Sequence, residues 1–147
     1  MSLQLLMDQR RARIADWRAI GVEPYAYRYD VTHFATDLLA RGEAVTTEYG
    51  ETVRIAGRLV TKRGQGKAGF AHLLDKTGRI QVYAKSDLMG EQYKRFELAQ
   101  VGDWLGIEGA LFRTRTGEIT VRADKIELLA KSIRPLPEKW HGLTDPE

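Results

Sequence analysis

The feature that most constrains this chain is a change of hydrophobic period at Thr52. Downstream of it, Val53, Ile55 and Leu59 alternate with Arg54, Ala56 and Arg58, the pattern of a strand with one covered face. Gly57 falls on the apolar side of that alternation, where a bulge or sharp bend is expected. Upstream the spacing is helical instead. Leu3, Leu6, Met7, Ile14, Trp17 and Ile20 recur over residues 3–20, and Gly21 stands where a closing glycine belongs.

Past the first strand the punctuation is regular. Gly64-Gln65-Gly66 forms a link, residues 68–74 a second strand, residues 75–78 a turn and residues 79–84 a third strand. Residues 89–98 read as a short helix. Residues 103–113 and 118–129 form a last hairpin around 114–117. Between the first helix and the first strand lie an extended stretch with Pro24, Tyr25, Tyr27 and Tyr29, and a short helix over 33–41. Thr32 is its expected cap and Gly42 its stop. Three strands, a helix and two strands is the order of a five-stranded OB-fold barrel, an all-β core with flanking helices that commonly binds oligonucleotides. The expected organisation is a helical extension over residues 1–50, the barrel over 51–130 and a proline-punctuated linker over 131–147.

Composition narrows the function. The chain has no cysteine, which excludes disulfides and thiolate zinc sites and suggests a reducing, cytoplasmic setting. No apolar run is long enough for a bilayer, so no membrane partner is expected. The net charge of +3 conceals a local concentration. Arg54, Arg58, Lys62, Arg63, Lys67, Lys76, Arg79 and Lys85 lie in one segment with Asp75 as its only acid. A local excess of seven positive charges suits a polyanion or a solvated basic face equally well.

Strand parity points to individual residues. In the third strand Ile80, Val82 and Ala84 form an apolar row, so Arg79, Gln81 and Tyr83 are expected to face out. In the second, Phe70 and His72 share a row, and if that row faces out, Phe70 offers a ring on which a nucleobase can stack. The alternative is a bulge that reverses the parity and leaves Phe70 in the core. The amide of Gln81 supplies one donor and one acceptor group, which match the edge of a pyrimidine such as uracil. Lys62, Arg63 and Lys67 on the adjoining loop are candidates for phosphate contacts.

Two motifs are dismissed. Gly64-Gln65-Gly66-Lys67-Ala68-Gly69 matches G-x-G-x-x-G, but a dinucleotide site needs a helix after it and a strand follows here. Gly66-Lys67 makes no P-loop, since Ala68 stands where serine or threonine is required. His33, His72 and His141 lack metal-ligand spacing, and no nucleophile and base stand together, so neither a metal nor a catalytic site is expected.

Several stretches resemble bacterial lysyl-tRNA synthetases. These are residues 53–73 with Lys62-Arg63-Gly64-Gln65-Gly66-Lys67, the run Gly78-Arg79-Ile80-Gln81-Val82-Tyr83, and Gly102-Asp103-Trp104-Leu105-Gly106 followed by residues 109–120. The tail Arg134-Pro135-Leu136-Pro137 and the segment Gly21-Val22-Glu23-Pro24-Tyr25-Ala26-Tyr27 are similar too. The resemblance covers about residues 10–147. The barrel motifs are shared with aspartyl and asparaginyl enzymes, while the Arg-Pro-Leu-Pro tail and the lysine-rich loop favour the lysyl family. The resemblance implies an anticodon-binding domain for lysine tRNA. In it Phe70 stacks on the middle uracil, Gln81 reads that base's edge, Lys62 and Arg63 contact the anticodon, and Glu118 sits near the flanking bases. It further implies that ATP and magnesium belong to a catalytic domain outside this segment, that the segment alone is inactive, and that the whole enzyme is a homodimer. No cofactor is expected here. A general single-strand-binding OB protein and a dimerisation module stay open as alternatives.

Overall fold

The computed structural model describes residues 2–20 and 29–130. The expected Tyr25/Tyr27 stretch, the stop at Gly21 and the linker over 131–147 lie outside the described residues.

Helix α1 spans Leu3–Ala19, and the Ser2 side chain accepts the Leu5 N–H at 3.1 Å to cap it. Trp17 is fully buried and Arg13 donates to the Leu98 carbonyl at 3.4 Å, which sets the helix against the barrel's own helix. The short helix expected over 33–41 is smaller. Helix α2 covers Ala35–Leu39 and a 3-10 turn follows over Gly42–Ala44. Thr32 does not cap it. Its hydroxyl accepts the Arg54 N–H at 2.9 Å, and its own N–H donates to the Arg54 carbonyl at 2.9 Å. A strand edge with unpaired backbone groups takes this hydroxyl from the helix end. Asp37 accepts the Phe34 N–H and Asp75 the Ala35 N–H instead, at 2.9 and 2.8 Å.

Five strands follow: β1 Thr52–Gln65, β2 Ala68–Leu74, β3 Arg79–Lys85, β4 Trp104–Arg113 and β5 Ile119–Ala130. They close into a barrel in the order β1-β2-β3-β5-β4, with β3 and β5 parallel and the other neighbours antiparallel. The helix expected over 89–98 is divided into α3 Ser86–Met89, a 3-10 turn Gly90–Gln92 and α4 Tyr93–Leu98. Gly90 causes the break, since its φ of +60° ends a right-handed helix and suits only a residue without Cβ. Val53, Ile55, Leu59, Leu73, Val82, Leu105, Val121 and Leu128 fill the barrel, and Phe96 of α4 joins the same cluster. Slipping any strand by one residue would turn this row to water, at ~1.5–3 kcal/mol per large side chain, so the register is tightly set.

β1 serves two neighbours, pairing with β4 through Thr52–Arg58 and with β2 from Arg58 onward. No bulge sits at Gly57. That glycine allows close approach, because a Cβ there would lie 2.8 Å from the Leu74 carbonyl oxygen. The register shifts later, between Leu59↔Leu73 and Thr61↔His72, which leaves Val60 as the extra residue. From this point the two faces of β1 exchange parity. Lys62 falls opposite buried Ala71, while Thr61 and Arg63 fall opposite His72 and Phe70.

Candidate nucleic-acid interface

Two rungs cross the outer face of the barrel. One runs Arg63, Phe70, Tyr83 and Arg122 across β1, β2, β3 and β5. The other runs Thr61, His72, Gln81, Thr120 and Phe112 across all five strands. Arg63, Phe70, Tyr83, Gln81 and Phe112 from these rungs floor a cleft of about 760 Å³ whose walls include Tyr49 and the hairpin residues Thr114, Arg115, Thr116 and Glu118. A volume of that size falls in the range of ligand pockets and exceeds what one pyrimidine fills.

Phe70 faces outward, half-buried, so of the two placements its strand parity left open the structure takes the outward one. Its ring lies 5.0 Å from that of Tyr83 with the planes inclined by 34°. The aromatic surface continues from Tyr83 to Phe112 at 6.2 Å and from Phe112 to Tyr49 at 5.2 Å, the last pair edge to face at 80°. Arg63 lines the cleft beside Phe70 and is exposed. An aromatic surface flanked by an exposed guanidinium suits a base and its phosphate together.

Gln81 occupies the expected outward row and lines the cleft, but only 4% of its surface is exposed. β3 is flanked on both sides, so His72 from β2 and Thr120 from β5 stand beside this amide. Its Nε2 donates to Thr120 Oγ1 at 3.1 Å, and the Thr120 hydroxyl donates to the Glu118 carbonyl at 3.0 Å. A hydroxyl has one hydrogen, so once it is given to Glu118 the oxygen can only accept from Gln81. The order of the two bonds therefore fixes which way the amide points.

Glu118 also lines the cleft, and its carboxylate lies 3.2 Å from His72 Nε2. The other ring nitrogen of His72 is 2.8 Å from Thr61 Oγ1. Arg113 donates to the Val45, Gly117 and Gly42 carbonyls, which ties the segment before β1 to the β4–β5 hairpin.

Lys62 is the clear departure from the expected site. It shares a strand with Arg63 but not a face. Its ammonium donates to the Glu97 and Ala99 carbonyls at 3.0 and 2.7 Å and lies 5.0 Å from the Phe96 ring, at the end of α4. The shift at Val60 is the cause. Lys67 sits in the Gly66-Lys67 turn, exposed, and is not among the residues that wall the cleft. Of the six residues singled out from sequence, Phe70, Gln81, Arg63 and Glu118 converge on the cleft and the two lysines do not. Tyr49, Tyr83, Phe112 and Thr120 were missed. Tyr83 shares the outward parity of Gln81, and that was the one available signal. Tyr49 and Phe112 carry no local mark that sets them apart from core aromatics.

Among the described residues no helix is long and apolar enough to cross a membrane, and no group of His, Asp and Glu gathers to hold a metal ion. The barrel order, the outward rungs and the basic, ring-lined cleft define a nucleic-acid-binding domain. The family model for the anticodon-type OB-fold nucleic acid binding domain matches residues 53–129, and the chain belongs to that family. It is 47% identical over 146 residues to the lysine–tRNA ligase of Carboxydothermus hydrogenoformans, covering 99% of this chain and 29% of that protein. It is also 47% identical over 155 residues to the Bacillus cereus lysine–tRNA ligase, covering 100% and 31%, and 45% identical to that of Oceanobacillus iheyensis, covering 96% and 30%. The chain thus spans about three tenths of the length of the curated relatives it matches.

Proposed function

We propose that this domain reads the anticodon of lysine tRNA on behalf of an ATP-dependent lysine–tRNA ligase. The observation that carries the reading is the Phe70 ring, turned out of the barrel between Arg63 and Tyr83 with the Gln81 amide one rung away. The middle uracil stacks on Phe70. Its N3–H donates to the Gln81 carbonyl, and one carbonyl of the base accepts the remaining amide hydrogen. Arg63 neutralises a phosphate beside the stacked base, and Lys67, on the exposed turn, adds a more distant charge. Glu118 accepts from a donor on a flanking base, and its bond to His72 holds the carboxylate in place. The names of the relatives support the amino acid and the ligation reaction, which belongs to the whole ligase. Assembly of that ligase as a homodimer is part of the proposal, tested by sedimentation of the intact enzyme.

The test is Phe70→Ala, with binding measured to an isolated lysine anticodon stem-loop. Loss of the platform should weaken binding by about 1–3 kcal/mol. A loss under a few tenths removes the assigned face. Changing the two outer anticodon bases separates this reading from an aspartyl or asparaginyl one. Equal affinity for unrelated pyrimidine oligomers would instead make the domain a general single-strand binder.

A further inference from the structure

The cleft has a second aromatic end. Tyr49 belongs to no strand, yet half of its surface is exposed and it lines the same cleft as Phe70. An exposed tyrosine on a loop is ordinarily free to move, but here the backbone on both sides of it and part of the ring are braced by β4 and β5. The Gly50 N–H donates to the Leu111 carbonyl at 2.7 Å, and the Leu111 N–H donates to the Glu51 carbonyl at 3.0 Å. On the near side, the Arg113 N–H donates to the Thr46 carbonyl at 2.7 Å. Phe112 meets the ring in an edge-to-face contact at 80°, and the Arg122 guanidinium lies over one face of it, 4.2 Å from the ring centroid. Arg122 is in turn paired with Asp124 at 2.9 Å.

We propose that Tyr49 is a second stacking platform, which takes the nucleobase adjacent to the one on Phe70 in the same single strand. This rests on the anticodon-reading proposal and adds a second base to the site. Two rings, Tyr83 and Phe112, separate Phe70 from Tyr49, so one pyrimidine does not cover both ends. Phe112 is itself covered, with 9% of its surface exposed, and cannot serve as a platform. Arg122 over one face of the ring, itself held by Asp124, makes Tyr49 a rigid stacking partner. A preformed ring costs the complex little ordering entropy, which is what a stacking site needs.

The experiment uses the full chain with Tyr49→Ala, Tyr49→Phe and Phe70→Ala. Each is titrated with the lysine anticodon stem-loop and with stem-loops abasic at one or the other position flanking the middle base. Tyr49→Ala should weaken binding to the intact loop by about 5- to 30-fold, the lower part of the range for one stacked base. Tyr49→Phe should bind like the parent chain, since stacking needs the ring and not the hydroxyl. The penalty of Tyr49→Ala should vanish on one of the two abasic loops. Binding by Tyr49→Ala within twofold of the parent, while Phe70→Ala is weakened, overturns this inference and leaves the anticodon reading intact. So does a penalty that persists unchanged on both abasic loops. Failure of Phe70→Ala to weaken binding overturns the anticodon reading itself. Thermal melting of each variant checks folding, which an exposed ring should not disturb.

Discussion

Replacing Thr120 with valine removes one hydroxyl and leaves the shape of a fully buried side chain nearly unchanged. In the parent chain Thr120 Oγ1 gives its hydrogen to the Glu118 carbonyl and accepts from Gln81 Nε2, which makes the amide's orientation a consequence of the barrel. Reversing the amide would set its carbonyl against an oxygen with no hydrogen to offer. The reversed state thus loses a hydrogen bond worth about 0.5–1.5 kcal/mol, a bias of roughly two- to twelvefold before any repulsion. Uracil needs the amide as found, with the carbonyl facing N3–H. Cytosine needs the reverse, with a donor facing N3 and an acceptor facing its amine. Valine at 120 abolishes the bias, so preference for uracil over cytosine at the middle anticodon position should fall by about fivefold. Stacking on Phe70 and phosphate contacts are unaffected, so affinity for the uracil loop should fall far less than the preference. Anisotropy titrations of stem-loops with uracil or cytosine at that position give the ratio, and Thr120→Ser should restore it. A ratio unchanged within twofold, in a Thr120→Val protein that melts cooperatively, would refute the reasoning.

Lys62→Met should lower stability by about 1–2 kcal/mol, since two carbonyls at the end of α4 lose a charged donor. It should leave the salt dependence of RNA binding unchanged. Arg63→Ala should reduce that slope by about 0.7, the value for one phosphate on a single strand, and an equal reduction from both variants would contradict the placement of Lys62. For Asp75, burial acts to raise the carboxyl pKa, but hydrogen bonds from Thr77, Ala35 and Gly78 outweigh it and hold the group below the ordinary aspartate value. A depressed native pKa stabilises the fold above the unfolded value near ~3.9, and that contribution disappears as pH falls through the native one. Asp75→Asn should therefore be less stable than the parent at pH 7, with the gap in urea midpoints closing below about pH 4. A gap independent of pH would deny the charge any role. A Cβ at position 109 would collide with the Arg122 carbonyl oxygen across the β4–β5 pair. Gly109→Ala should cost about 3 kcal/mol or more, and a melting temperature equal to the parent's would show that β5 can give way.

Much of the fold is local in origin and was legible in the residues. Alternation of Ile80, Val82 and Ala84 with Arg79, Gln81 and Tyr83 needs no knowledge of neighbours, because side chains on any strand point to opposite faces in turn. The same rule put Phe70 and His72 in one row, but which face that row took was settled by the pairing of β2 with β1 and β3. Helix and strand order followed from period and punctuation, and the order alone selects the barrel. Element ends were less legible. Thr32 has two uses for one hydroxyl, and the strand edge at Arg54 took it.

What the tertiary structure decided is which neighbours meet. Lys62 and Arg63 are adjacent cations in one motif, and nothing in their sequence assigns them to different faces. The extra residue at Val60 does so, and it exists because β1 must keep Leu59 opposite Leu73 and then bring Thr61 opposite His72. The burial of Gln81 depends on strands on both sides, and the direction of its amide depends on Thr120, thirty-nine positions away. Tyr49 reaches the cleft only through its backbone bridges to β4. Period and parity are properties of a single strand, set by its own backbone. Register, bulges and the gathering of a site from several strands, the Tyr49 loop and the β4–β5 hairpin arise only when the strands close on one another, and there the pairing partner decides.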